Sequence, residues 1–435
     1  MRRIGPLLAI ALLGCTSEQP PRFVNGEPPT LAIQGARVFD GEKLLGPSTV
    51  LLRNDRILAI QDAPRASEGV EVIRCEGCTL LPGLIDSHTH LNTERELRQA
   101  LVFGVTTELD LYTFLPPALQ TELREDLRAG RRTDLADFRM ATTPVTCPGG
   151  FGLLFNPEIP TLDAASGAPA FVDARLAEGA DYIKIMFDDG HLFGGDLPNL
   201  TDELLRATVQ ATHARGKLAV AHVTARREAY AAVEAGVDGL AHVFVDELPD
   251  EPLTSHAAER GVFLIAALTQ WQGMLEGPSG AELADDERFT PYLHPGAIEN
   301  LKRPANLAGE VHGTFENALE TVRRFHAGGV SVLAGTDAPN AGTAHGLSMH
   351  RELELLVQAG LTPTEALATA TAQPADEFGL DDRGRIAPGL RADLLLVRGD
   401  PTTDILATRE IVAIIRGGVL VDREAFATEI ASSQE

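Results

Sequence analysis

The sequence predicts an α/β protein: a (β/α)8 TIM barrel with a small β-sandwich domain assembled from both chain ends. Three observations predict it. The chain has 435 residues, enough for a barrel of about 250 residues and a second unit. Its middle alternates short apolar runs with amphipathic helical patterns, eight times over. Its two ends carry short β-rich runs broken by turn residues, a different texture from the middle. A hydrophobic share of 44% is that of a globular protein. A net charge of −25 argues against nucleic acid as a partner, because that contact needs basic patches.

Residues 1–15 read as a lipoprotein-type signal peptide. Arg2 and Arg3 precede an apolar run, Ile4 to Leu13, too short to span a bilayer as a mature helix. The run ends in Leu12-Leu13-Gly14-Cys15, which resembles the bacterial lipobox, so Cys15 is the expected lipidation site. The expected location is the periplasm or cell envelope, with membrane contact only through that lipid; plain secretion is the alternative. Residues 16–30 are polar and proline-rich, as a tether is. The small β domain is expected from residues 31–78, with "LAIQGARVFDG" and "STVLLRNDRILAI", and from residues 388–425, with "ADLLLVRGD" and "IVAIIRGGVLV". Cys75-x-x-Cys78 reads as a disulfide or as two unpaired thiols, since one such pair alone is a poor zinc site.

Residues 79–387 make the barrel. Its expected strands are Thr79–Ser87, Thr106–Tyr112, Phe138–Cys147, Tyr182–Phe187, Leu218–Val223, Gly239–Val245, Val262–Leu268 and Val330–Gly335. Runs this apolar suit parallel strands covered on both faces. Helix signals fall between and after them. Thr201-Asp202-Glu203 begins a helix with an N-cap and an acidic first turn, and Gly216 ends it. Thr362-Pro363-Thr364-Glu365 is a capping box with proline at the first helical position.

The working face of such a barrel lies at the C-terminal ends of its strands. The first strand ends in "GLIDSHTHL", where His88 and His90 are two residues apart and share one side. Two imidazoles so placed can grip one metal ion, or they can be a pair of polar residues at a strand end. The fourth strand carries Lys184, the fifth His222, the sixth His242, and the eighth ends at Asp337. Taken singly, Lys184 could snorkel to water, each histidine could be a hydrogen-bonded core residue, and Asp337 could cap a helix. Six such coincidences at one rim are harder to accept than one metal site.

The order H-x-H, Lys, His, His, Asp, with "PGLIDSHTH", "GADYIKIM", "AGTDAP" and "GRIAPGLRADLLLV", resembles the amidohydrolase superfamily over nearly the whole chain after the tether. It looks closest to the imidazolonepropionase-like and prolidase-like members, and the Gly-x-Asp-x-Ile-Lys-Ile pattern of "GADYIKIM" is typical of members whose lysine is carboxylated. The resemblance implies that His88, His90 and Asp337 hold one divalent metal, that His222 and His242 hold a second, and that Lys184 bridges them as a carbamate formed with carbon dioxide. It implies a hydrolase that uses a metal-bridging hydroxide, with Asp337 as the catalytic proton carrier. Chemistry fits the modification: an ammonium has no lone pair, and burial beside cations favours the neutral amine that reacts with carbon dioxide. Nitrogen and oxygen ligands of this kind suit zinc best.

The substrate should be a small molecule met by loops after the strands. Candidate contacts are Tyr112, Phe151 in "CPGGFG", His191, Arg226 with Arg227, Trp271 and His345. Prolidase-like relatives read Gly-Gly-His-Gly where this chain has Gly149-Gly150-Phe151-Gly152, and a tyrosine where it has Thr224. Both departures weaken an X-Pro dipeptidase reading. The expected function is cleavage of an amide, cyclic amide or related carbon–nitrogen bond. The alternatives are an X-Pro dipeptidase and a lactonase or phosphotriesterase on the same site; a non-catalytic binding protein would be marked by lost ligands, and none is lost.

Overall fold

The computed structural model describes residues 29–62, 69–306 and 311–432. The expected signal peptide, Cys15 and nearly all of the tether lie outside them. Among the described residues no helix is long and apolar enough to cross a membrane.

Five strands come first: β1 (Leu31–Phe39), β2 (Leu44–Arg53), β3 (Arg56–Gln61), β4 (Glu71–Arg74) and β5 (Cys78–Pro82). Eight parallel strands follow, each short: β6 (Leu84–Thr89), β7 (Val105–Asp110), β8 (Asp137–Met140), β9 (Ile183–Met186), β10 (Ala219–His222), β11 (Gly239–Ala241), β12 (Phe263–Ile265) and β13 (Val332–Leu333). The chain closes with β14 (Leu394–Arg398), β15 (Ile411–Arg416) and β16 (Val419–Leu420).

The terminal strands form one eight-stranded sheet rather than two separate ones. Strand β5 joins its halves, pairing parallel with β1 and antiparallel with β14. Apolar side chains such as Val38, Leu80, Leu396 and Ile415 make a core of the sheet's own. Cys75 and Cys78 are disulfide-bonded at the start of β5.

The expected strand Thr79–Ser87 is in fact two. Cys78–Pro82 belongs to the small sheet and Leu84–Thr89 to the barrel. The break falls at Gly83, where any Cβ would lie 2.3 Å from the Thr106 hydroxyl. An unbroken apolar run hides the change of sheet because both strands are buried on both faces.

The parallel strands lie in two arcs, β6-β7-β8 and β9 to β13. Isolated bridges join them at both seams, Val145 with Ile185 and Thr89 with Ala338. The architecture is α/β and TIM-barrel-like, with helices outside and a second apolar layer inside, including Ile85, Leu109, Val220, Ile265 and Leu333. The expected caps form. Thr201 Oγ1 accepts from Leu204 N at the head of helix Asp202–His213, and Thr362 and Glu365 make a reciprocal box on helix Pro363–Thr369. Gly216, in left-handed conformation at φ 63°, follows the first of these.

A buried ion-pair network ties the lower barrel to the returning chain. Arg383 donates to Asp137 Oδ2 at 2.7 Å and to Thr107 Oγ1 at 3.0 Å, and Arg416 pairs with Asp393 at 3.0 Å. Burial opposes the Asp137 charge, but Arg383, Arg139, Arg416 and Arg391 outweigh it and hold the carboxyl well below its usual range. Asp137→Ala would remove one of the two carboxylates that pair with the buried Arg383 guanidinium, leaving Asp382. The expected loss is about 1.5–3 kcal/mol, seen as a lower urea midpoint with an unchanged slope. Because the folded-state pKa is depressed, the carboxylate's contribution is full above its unfolded value of roughly 4 and fades as pH falls below that. An unchanged midpoint at pH 7 would show that the pair does not support the fold.

Candidate metal centre and substrate cavity

All six residues expected as ligands stand at one rim. His88 lies in β6 and His90 one residue beyond it; Lys184 is in β9, and His222 ends β10. His242 directly follows β11, and Asp337 lies beyond β13. His242 and Asp337 have φ of 78° and 54°, left-handed values that non-glycine residues rarely adopt and that cost roughly 1–3 kcal/mol each. The backbone turns sharply there, so each side chain faces inward instead of continuing a strand.

The first and last strands are laced together beneath these ligands. Asp337 N donates to His88 O at 2.8 Å and His90 N to Ala338 O at 2.7 Å. Asp86 accepts from His88 N, from Thr336 N and, at 2.6 Å, from Thr336 Oγ1. Gly335 is required by close approach, since a Cβ there would lie 2.9 Å from His88 Cβ.

These donor atoms lie close enough together to hold a cation. Asp337 Oδ1 lies 2.9 Å from His90 Nε2 and 3.3 Å from His88 Nε2, and Oδ2 lies 3.8 Å from His242 Nε2. Ligand atoms of His88, His242 and Asp337 all fall within 4.8 Å of one another. The rings of His222 and His242 are 4.8 Å apart, which brings His222 to the same group.

Buried polar atoms here lack partners. Both ring nitrogens of His88, Nδ1 of His242 and Nζ of Lys184 have no hydrogen bond among the described residues. Groups so buried are nearly always satisfied, and a bound ion is one standard reason when they are not. Burial, with Lys184 and neighbouring histidines adding to it, pushes His88 well below its usual pKa; burial and the same kinds of neighbour do so for His242. Neutral imidazoles are the form that ligates metal. Burial also lowers Lys184 to about 7, although Asp337 and Asp110 pull the other way. The donor set therefore fits divalent cations, and the amine is poised to lose its proton.

Two imidazoles have one nitrogen already committed. His90 Nδ1 lies 3.0 Å from Tyr112 O, to which it can only donate, so Nε2 is left facing Asp337. His222 Nε2 lies 3.0 Å from Asp188 Oδ2, which leaves Nδ1 free. Asp188 is buried and also accepts from Thr224 Oγ1 at 2.8 Å and Gly190 N at 2.6 Å. These bonds and the facing imidazole outweigh burial and keep its pKa low. Carboxylates that orient metal-binding histidines in this way fix tautomer and ring angle. Glu228 braces the same turn, accepting from Thr224 N and Ala225 N at 3.1 Å each; burial first and Asp188 second raise its pKa to about 8. Neither acid stands out in "YIKIMFDDG" or "ARREAY". The signal is in the register, because Met186 of β9 pairs with His222 of β10 and Asp188 follows two residues on.

A cavity of about 760 Å³ opens from the ligands, and Tyr112, Phe151, Thr224 and Trp271 line it. Phe151 stacks on His222 with ring centres 5.0 Å apart. Helix Leu268–Leu275 carries Trp271, and Glu352 pins its start by accepting from Leu268 N and Thr269 N.

Three expected substrate contacts do not line the cavity. His191 is exposed and stacks with His312 instead. Arg226 is engaged by Glu247 and by the carbonyl of Leu248, and Arg227 by Asp189, because acidic loops surround the start of their helix. His345 is buried 2.9 Å from Glu108, whose carboxylate overcomes burial and raises the imidazole to about 9. Arg226 and His345 face the protein's own acids.

Known proteins resemble this chain in sequence and in fold. The chain is 26% identical over 399 residues to an imidazolonepropionase of Ruegeria sp. (strain TM1040), covering 84% of this chain and 91% of that one. It is 27% identical over 259 residues to an ochratoxinase of Aspergillus niger, covering 57% of this chain and 48% of that one. Among solved structures, a Xaa-Pro dipeptidase with bound methionine superposes with a TM-score of 0.73 at 21% identity, over 90% of this chain and 99% of that one. At that identity the likeness speaks for the fold alone. The sequence pattern of the Amidohydrolase family matches residues 79–421, which span every rim residue described above. The chain belongs to that family and is a hydrolase of carbon–nitrogen bonds.

Proposed function

We propose that the protein cleaves an amide, cyclic amide or related carbon–nitrogen bond with the help of two divalent cations, zinc being the best match to the donors. The supporting observation is the set of buried, partnerless donor atoms at one rim. His88, His90 and Asp337 would hold one cation, His222 and His242 the other, and Lys184 as its carbamate would bridge them. When bound, such a pair polarises a carbonyl and makes hydroxide available near neutral pH.

The chain's own residues supply the rest. Lys184, buried and lowered to about 7, offers a neutral amine to carbon dioxide at physiological pH. Its nitrogen gains a carboxyl group and gives up one proton. Asp337 is the proton carrier, taking a proton from the attacking water and passing it to the leaving nitrogen. Tyr112 O and Asp188 hold His90 and His222 in the tautomers that leave one lone pair of each for the cations. The deep apolar cavity limits competing water.

Elemental analysis of the purified, active protein tests this. About two divalent ions per chain are expected. Full activity with no more than one ion per chain would rule out the paired arrangement.

A further inference from the structure

The walls of the cavity are unusual for this chain. It has 17 phenylalanines, four tyrosines and one tryptophan, and six of these 22 side chains line this one cavity. They stand on three sides of the ligand group. Tyr112 and Phe114, 4.5 Å apart, lie next to His90. Phe151, Phe155 and Phe193 form a second wall against His222. Trp271 stands beside His242.

Part of this surface is left open. Phe114 is 39% exposed, Phe155 51% and the neighbouring Leu154 63%, and all three line the cavity. Grouped exposed apolar side chains mark a binding surface. Trp271 is 1% exposed, and its Nε1–H has no partner among the described residues.

Arg303 is exposed and, among the described residues, is the one arginine that lines the cavity. Most arginines of this acidic chain are paired with carboxylates, but Arg303 shows no such partner among the described residues.

We propose that the substrate carries a flat aromatic group on one side of its scissile amide, seated between the Phe114 and Phe155 walls, and an anionic group at its outer end that meets Arg303. This rests on the hydrolase reading above and adds the class of molecule. Aromatic rings stack on the walls at offset or edge-on angles. The Trp271 donor suits an acceptor oxygen of the bound molecule. A planar guanidinium suits a carboxylate through paired hydrogen bonds. In the reaction the amide C–N bond breaks; water adds hydroxyl to the acyl carbon and hydrogen to the nitrogen, giving an acid and an amine.

Trp271 is the sole tryptophan, so its fluorescence reports on the cavity directly. Binding is measured on the metal-loaded full chain with N-(1-naphthoyl)glycine, its primary amide and N-acetylglycine. The naphthoyl acid is expected to bind at least about tenfold tighter than the acetyl acid, and about fivefold tighter than its own amide. Arg303→Ala should abolish the second difference and keep the first. Phe155→Ser, at an exposed position that does not threaten the fold, should shrink the first and keep the second. Equal binding of the naphthoyl and acetyl acids, or no binding of either, overturns the aromatic assignment. Equal binding of acid and amide by the parent protein overturns the role of Arg303. Hydrolysis is followed in parallel: selective binding without turnover keeps this assignment and removes the hydrolase reading, whereas equal turnover of both acids overturns this assignment and keeps that reading.

Discussion

Lys184→Ala is expected to fold as the parent does, to lose bound metal, and to fall at least about a thousandfold in rate, which is ~4 kcal/mol of barrier. The side chain is buried, makes no hydrogen bond and has its pKa drawn down to about 7 by burial. An amine in that position contributes little to stability, so its removal should act on the cations and not on the barrel. The variant would leave a gap the size of a small carboxylate. Acetate or propionate should therefore restore part of the metal content and rate, because two oxygens take the place of the carbamate's. Lys184→Arg should not be rescued, since guanidinium stays charged and takes up no carbon dioxide. A lysine that merely reached toward water would tolerate arginine. Parental metal content and rate in Lys184→Arg would refute the carbamate and leave a site of four histidines and one aspartate.

The next largest effect is expected at Asp188, which touches no substrate and acts through His222. Asparagine keeps the size but turns one acceptor into a donor. If its amide group faces Gly190, two N–H groups oppose each other where the aspartate accepts at 2.6 Å. If it faces His222, the imidazole must accept at Nε2, and the proton moves to the nitrogen that should hold the metal. Either outcome lowers metal affinity, by about 10–100-fold for a contact of this kind. Chelator competition measures it, and a purely structural role would change the melting temperature without it. A changed visible spectrum after cobalt substitution would mark altered ligand geometry at His222. Unchanged affinity and spectrum in Asp188→Asn would end the orienting role.

The two predictions differ in how visible their residues are in the sequence. Lys184 stands out because a charged side chain interrupts an apolar strand. His88, His90, His222 and His242 stand out because each polar group ends an apolar run. Asp188 sits in a loop that reads as solvated, and its burial depends on a neighbouring strand 34 residues away. His191, Arg226 and His345 failed as cavity residues for the converse reason. Polar side chains after strands look available, but each found a local partner, and loop conformation chooses between partner and cavity.

By itself the sequence determined the class of chain, the alternation of strands and helices, and the order in which polar side chains reach the strand ends. These follow from periodicity, which is local, and from the cost of placing polar groups in apolar runs. Tertiary structure alone decided the rest. It split Thr79–Ser87 between two sheets, because burial on both faces looks the same in either. It turned His242 and Asp337 inward through left-handed backbone, which no side-chain pattern encodes. It gathered Tyr112, Phe114, Phe155 and Trp271 from three separate segments into one cavity and left Arg303 at its mouth, while Arg226 and Arg227 were engaged elsewhere. The physical reason is common to all of these: loop side chains are placed by contacts between segments far apart in the chain, and such contacts leave no periodic trace along it.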